Sequence, residues 1–131
     1  MPDVNLWAVL ACGVGSLVLG GLWYSPLLFG NRWQKLAGLN DEQMAGGNAK
    51  IFGLTVVLSM VAAYVFAVFL GPDMGLGPSI AAGASAGLCW VAAALGINYL
   101  FERKPLNLWL INGGYHTLQF TMFGLILGLL R

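Results

Sequence analysis

The chain has 131 residues, 59% hydrophobic and 8% charged, with six Lys and Arg against five Asp and Glu for a net charge of +1. Soluble domains carry roughly 25% charged residues, so this composition argues against a water-soluble fold. Neither a basic patch nor a charged tail is present for nucleic acid, which is not expected as a partner. The few charges are gathered together, because residues 4–31, 51–72, 74–101 and 105–130 contain no Asp, Glu, Lys or Arg. A helix crosses a bilayer with about 20 mostly apolar residues. The expectation is therefore all-α: an integral membrane four-helix bundle, one domain over residues 1–131, with a short interfacial helix between spans 1 and 2.

Span 1 is read over residues 5–24. No positively charged stretch precedes it and no A-x-A-like site follows it, so it is expected to be retained rather than removed as a leader. Cys12, Ser16 and Gly20 lie four apart and make a small-xxx-small seam for a neighbouring helix. Trp23 and Tyr24 close the span, where amphipathic aromatics favour the headgroup region. Ser25-Pro26 reads as a stop or as the opening of a short helix through Ala37. Leu28, Phe29, Trp33 and Leu36 share one side of it, and Asn31, Arg32 and Lys35 the other, the pattern of a helix lying on a membrane. Gly38 suits its end. Asn40 with Gln43 three residues on resembles a capping box for a turn of helix ending at Gly46-Gly47.

Span 2, residues 49–70, is aliphatic and β-branched, with Asn48 as a candidate cap, and is assigned to packing. Gly71 to Pro78 reads as a turn-rich loop. In span 3, residues 79–101, Ser79, Gly83 and Gly87 form a GxxxG-type ridge that Ala82, Ala86, Ala93 and Ala94 extend. Pro105 is tolerated at the start of span 4, residues 106–130. Arg32, Lys35, Lys50, Arg103 and Lys104 fall in the first and third connections, against Arg131 on the opposite side. The positive-inside rule then places those connections in the cytoplasm and both termini outside. Cys12 and Cys89 both lie inside spans without a CxxC pair, and neither a disulfide nor a metal site is expected.

Three motifs stand out together: Leu22-Trp23-Tyr24-Ser25-Pro26-Leu27-Leu28-Phe29-Gly30, Asn98-Tyr99-Leu100-Phe101-Glu102, and Leu110-Ile111-Asn112-Gly113-Gly114-Tyr115-His116. In them the chain resembles, over nearly its whole length, the small bacterial membrane proteins grouped as domain-of-unknown-function family 1761. The resemblance implies a compact four-span protein of the bacterial inner membrane. It implies no agreed activity and supplies no catalytic residues.

Span 4 carries the chemistry. Asn112, Tyr115, His116 and Gln119 are three and four apart and share one helix face. Polar groups at that depth are costly unless paired, so the stripe should face protein or a wet cavity rather than lipid. Counting back from the link near Lys104 sets Asn98 opposite Ile111 and Asn112, and His116 opposite Ala93. That predicts a cluster of Asn98, Asn112, Tyr115, His116 and Gln119 with Tyr24, Tyr99 and Glu102 at its mouth. His116 then either fixes helix register through a hydrogen bond or serves as a titratable or ligand-binding group. Glu102 is either a solvated charge beside Arg103 and Lys104 or a gate for protons. No paired carboxylates, nucleophile and base, HExxH or glycine-rich phosphate loop is present, so no enzyme activity and no cofactor is expected. The leading expectation is a homo-oligomeric bundle that binds or passes a small solute or proton. The alternatives are an accessory subunit of a larger membrane complex, or a lipid- or quinone-binding protein using Pro26 to Ala37.

Overall fold

A computed structural model describes residues 3–130. Its elements are α1 (Leu6–Trp23), α2 (Gly30–Ala37), α3 (Asp41–Ala45), α4 (Asn48–Leu70), α5 (Leu76–Phe101) and α6 (Leu106–Leu129), and there is no strand among the described residues. Local signals set most of the boundaries. The Asn5 side chain accepts from the N–H groups of Trp7 and Ala8 and caps α1. Asn40 and Gln43 form the expected reciprocal capping box on α3. Gly38 ends α2 in the left-handed region, with Leu39 N–H bonding back to Gln34. Pro105 sits directly before α6, where its missing N–H costs nothing.

Three boundaries depart from expectation. Helix α5 begins at Leu76 rather than at Ser79 and takes in Pro78, because a proline in the first turn gives up an N–H that has no intrahelical partner anyway. Asn48 is the first residue of α4, and Gly47 with φ 71° stands at the cap position instead. Pro26 does not open a helix. Residues 25–29 form a turn in which the N–H groups of Leu28 and Gly30 both donate to the Ser25 carbonyl and Phe29 N–H donates to Trp23. Gly30 is packed so tightly on the Tyr24 and Ser25 carbonyls that any side chain there would collide with backbone. The amphipathic helix therefore starts at Gly30, with Trp33 and Leu36 half-buried and Asn31, Arg32 and Lys35 exposed.

The long helices pair as two hairpins, α1 with α4 and α5 with α6, joined mainly where α1 meets α6; α4 and α5 barely touch. Ala8, Val9, Cys12, Ala63, Phe66, Leu70, Phe123 and Leu127 form a dry core at the end where the α4–α5 loop lies and where the Asn5 amide donates to the Leu130 carbonyl. In the other half of the bundle the helices meet through polar groups.

Helices α5 and α6 approach most closely. The Cα of Gly83 lies against the Phe120 carbonyl and that of Gly124 against the Ser79 carbonyl, with no room for a Cβ at either place. Ser79 Oγ donates to the Gly124 carbonyl at 2.7 Å. Between Gly87 and Ala92 α5 widens into a π-helical turn, and the Trp109 indole N–H donates to the Ala92 carbonyl at 2.7 Å. This turn holds one more residue than an α-helical one and shifts everything after it by about 100°. The buried series Ser79, Gly83, Gly87 continues at Ala92 rather than at Val91. Ala93 and Ala94, expected on the small surface, are exposed, and His116 lies beside Gly87 rather than Ala93.

Three helices, Leu6–Trp23, Asn48–Leu70 and Leu76–Phe101, are long and apolar enough to cross a membrane. Helix α6 has 24 residues and equal length in its favour, but its polar stripe lowers its apolarity below theirs. A Gly83→Val substitution should force α5 off α6 and lower stability by about 1–3 kcal/mol. Gly21, with open space around it, should accept Ala with no loss or a gain of up to about 1 kcal/mol. Reversible unfolding in mixed micelles, followed by helicity, reads both.

Candidate functional site

The α6 stripe faces inward. Gln119 and Tyr115 are buried, and Asn112 and His116 are half-buried. Gln119 is the centre of the arrangement, because its Nε2 donates to Ser16 Oγ on α1 at 3.0 Å and to Ser59 Oγ on α4 at 3.2 Å. Its Oε1 lies 2.8 Å from His116 Nδ1. The proton positions follow from the donors. Ser16 Oγ–H is committed to the Cys12 carbonyl at 2.8 Å, so toward Gln119 that oxygen can act only as an acceptor. The amide must therefore turn its NH2 to Ser16 and its oxygen to His116, and the ring must carry its proton on Nδ1. Nε2 keeps its lone pair.

A second chain lies one to two turns away, toward the start of α6. The Tyr24 hydroxyl donates to Asn112 Oδ1 at 2.6 Å, and Asn112 Nδ2 donates to the Tyr99 hydroxyl at 2.8 Å. Tyr115 stands between the two chains: its hydroxyl donates to the Ser16 carbonyl at 2.8 Å, and its ring lies 5.6 Å from Tyr24 and 5.0 Å from His116, centroid to centroid. Trp33 of α2 closes over Tyr24 edge-on at 5.2 Å. Among the described residues no buried side-chain nitrogen or oxygen lacks a hydrogen-bond partner. In an apolar surround that completeness decides the packing, since each unmade bond costs roughly 1–3 kcal/mol.

Six of the eight residues singled out from the sequence come together here: Tyr24, Tyr99, Asn112, Tyr115, His116 and Gln119. Asn98 does not. The π-helical turn rotates Tyr99 into the place that Asn98 would hold on an uninterrupted α-helix, and Asn98 is left exposed. Glu102 lies one turn further along that same exposed face. Ser59 belongs to a helix read as pure packing, yet it supplies one of the two oxygens that hold Gln119. Its signal was a small hydroxyl, with Thr55 one turn before it, in the middle of an aliphatic run. Trp23, read as an interfacial aromatic, also donates across helices, to the Ile111 carbonyl at 2.8 Å, as Trp109 does to Ala92.

Asn112→Leu should remove both tyrosine bonds and cost about 1–2 kcal/mol of stability, whereas Asn98→Leu should stay within about 0.5 kcal/mol of the parent. Gln119→Leu and Ser16→Ala should be clearly less than additive when combined, because they remove parts of one contact. A double-mutant cycle on unfolding free energies checks both statements.

No curated protein and no solved structure matches the chain significantly. One family model does, over residues 7–128, and its description is "Protein of unknown function (DUF1761)". The match takes in all four long helices and every residue of the polar cluster, so the chain belongs to this family of proteins of unknown function.

Proposed function

We propose that this chain is a four-crossing protein of the bacterial cytoplasmic membrane that binds or passes a proton or a small polar solute at His116. The observation that carries the reading is a ring nitrogen that the network leaves unbonded. Nε2 of His116 has no hydrogen-bond partner among the described residues, and since no buried polar atom is left unpaired, this nitrogen reaches accessible space. Intramembrane ionisable residues tend to mark pathways. An imidazole held by Nδ1 can accept a proton or a donor group at Nε2 without disturbing its anchor. Helix α6 is the fourth crossing in this reading. Its polar face is hidden against α1, α4 and α5, so hydropathy alone undervalues it. The excess of Lys and Arg in the α1–α4 and α5–α6 connections sets those loops in the cytoplasm and both termini outside. Arg131, the lone cation counted on the other side, lies outside the described residues. Four helices enclose too little space for a pathway, so the working form is a homo-oligomer, whose contacts come from faces other than the Ser79, Gly83, Gly87 ridge, which α6 already covers.

A second reading, an accessory subunit docked in a larger membrane complex, is favoured by the completeness of the hydrogen bonding, which suits a stripe that only fixes register.

The chain has one histidine, so 15N resonances of labelled protein in bilayers report on His116 alone. The expected result is an Nδ1–H ring whose Nε2 signal moves with pH, and a His116→Gln variant that folds but loses proton or solute flux in proteoliposomes. An Nε2 signal indifferent to pH and to every solute, together with undiminished flux in the variant, sinks the proposal. Native mass spectrometry that finds monomers alone sinks the oligomeric part.

A further inference from the structure

A groove of about 260 Å3 opens at the end of the bundle opposite the chain termini, between the start of α6 and the turn leading into α2. Trp23, Phe29, Leu110 and Ile111 wall it, and Arg32 and Asn107 complete its lining. Its polarity is graded along α6. Asn107 stands in the first turn, and the lining on α6 runs through Leu110 and Ile111 to Gly114, about 10 Å further along the helix axis, while Arg32 enters the same groove from α2. The Trp23 indole N–H is already bonded to the Ile111 carbonyl, so the ring offers the groove only apolar surface. Leu110 is 53% exposed although it lies on a helix packed elsewhere against α1 and α5. Arg32 is exposed and has no hydrogen-bond or ion-pair partner among the described residues.

A cation from α2 and an amide from the first turn of α6, lining a groove whose other walls are apolar, match an amphiphile with an anionic head. We propose that this groove is a binding site for one anionic phospholipid, its phosphate on Arg32 and Asn107 and one acyl chain along Leu110, Gly114 and the Trp23 ring. Arginine suits the head because its planar fork matches phosphate oxygens and sheds water readily. The volume of about 260 Å3 lies just below that of pockets for whole small molecules, roughly 300–1,000 Å3, and admits part of one acyl chain. The site stands apart from His116 and does not depend on what that residue does.

The test is native mass spectrometry of the full chain released from nanodiscs containing equal amounts of phosphatidylglycerol and phosphatidylcholine. The parent protein should retain phosphatidylglycerol in preference. Arg32→Gln should lower that retention about fivefold, the scale of one cation at a membrane surface, and Leu110→Gln should lower retention of both lipids. Lys35→Gln, an equal loss of charge on the same helix outside the groove, should change nothing, and neither should His116→Leu. All four positions are exposed or half-buried, and helicity confirms that each variant folds. Equal retention of the two lipids, an effect of Lys35→Gln as large as that of Arg32→Gln, or indifference to Leu110→Gln overturns the proposal.

Discussion

One carboxamide touches two other helices besides supporting its own neighbour. Gln119 reaches Ser16 on α1 and Ser59 on α4 while its oxygen holds His116 on α6. Inside an apolar bundle these bonds have no water to exchange with, so losing one leaves a polar atom stranded. The pairing therefore dictates how α1, α4 and α6 are set along one another: sliding any of them by a residue would break it. It also determines the protonation pattern of the ring, because the serine proton is spent on Cys12 and the rest of the sequence of donors follows.

Around that contact the molecule divides by depth. Toward the termini, Phe123, Cys12 and Ala63 are sealed in a dry core. Toward the other end, tyrosines and tryptophans replace aliphatic residues and join helices by hydrogen bonds from hydroxyl and indole groups to carbonyls and to Asn112. Packing in the first half is governed by shape, and in the second by directed bonds. Close backbone contact between α5 and α6 at Gly83 and Gly124 is what lets their side chains be so few and small there.

Much of this was legible in the residues. Charge-free runs located the helices to within a few residues, caps and glycines marked their ends, and the spacing of Asn112, Tyr115, His116 and Gln119 identified the inward face of α6. Other features were hidden for physical reasons. The π-helical turn has no local signature, since it arises from tertiary contact with Trp109, and it alone moved Asn98 out of the cluster and Tyr99 into it. Ser59 was invisible because its partner is 60 residues away. Ser25-Pro26 fitted a stop as well as a helix start, and what decides between them is seen only in space: the Tyr24 and Ser25 carbonyls occupy the room beside Gly30. Nothing in a polar stripe by itself tells a hinge pin from a binding site, and the unbonded Nε2 of His116 is visible only in space.

The surplus residue in α5 has a mechanical meaning. Ahead of it the helix is clamped to α6 through Ser79 and Gly83; beyond it the last two turns are attached by Trp109 and Tyr99. Expelling that residue toward the Arg103 corner would spin the lower segment by about 100° while the upper segment stayed still. The Trp109 bond to the Ala92 carbonyl, within the π-helical turn, thus goes with a phenol rather than the neighbouring carboxamide standing in front of Asn112.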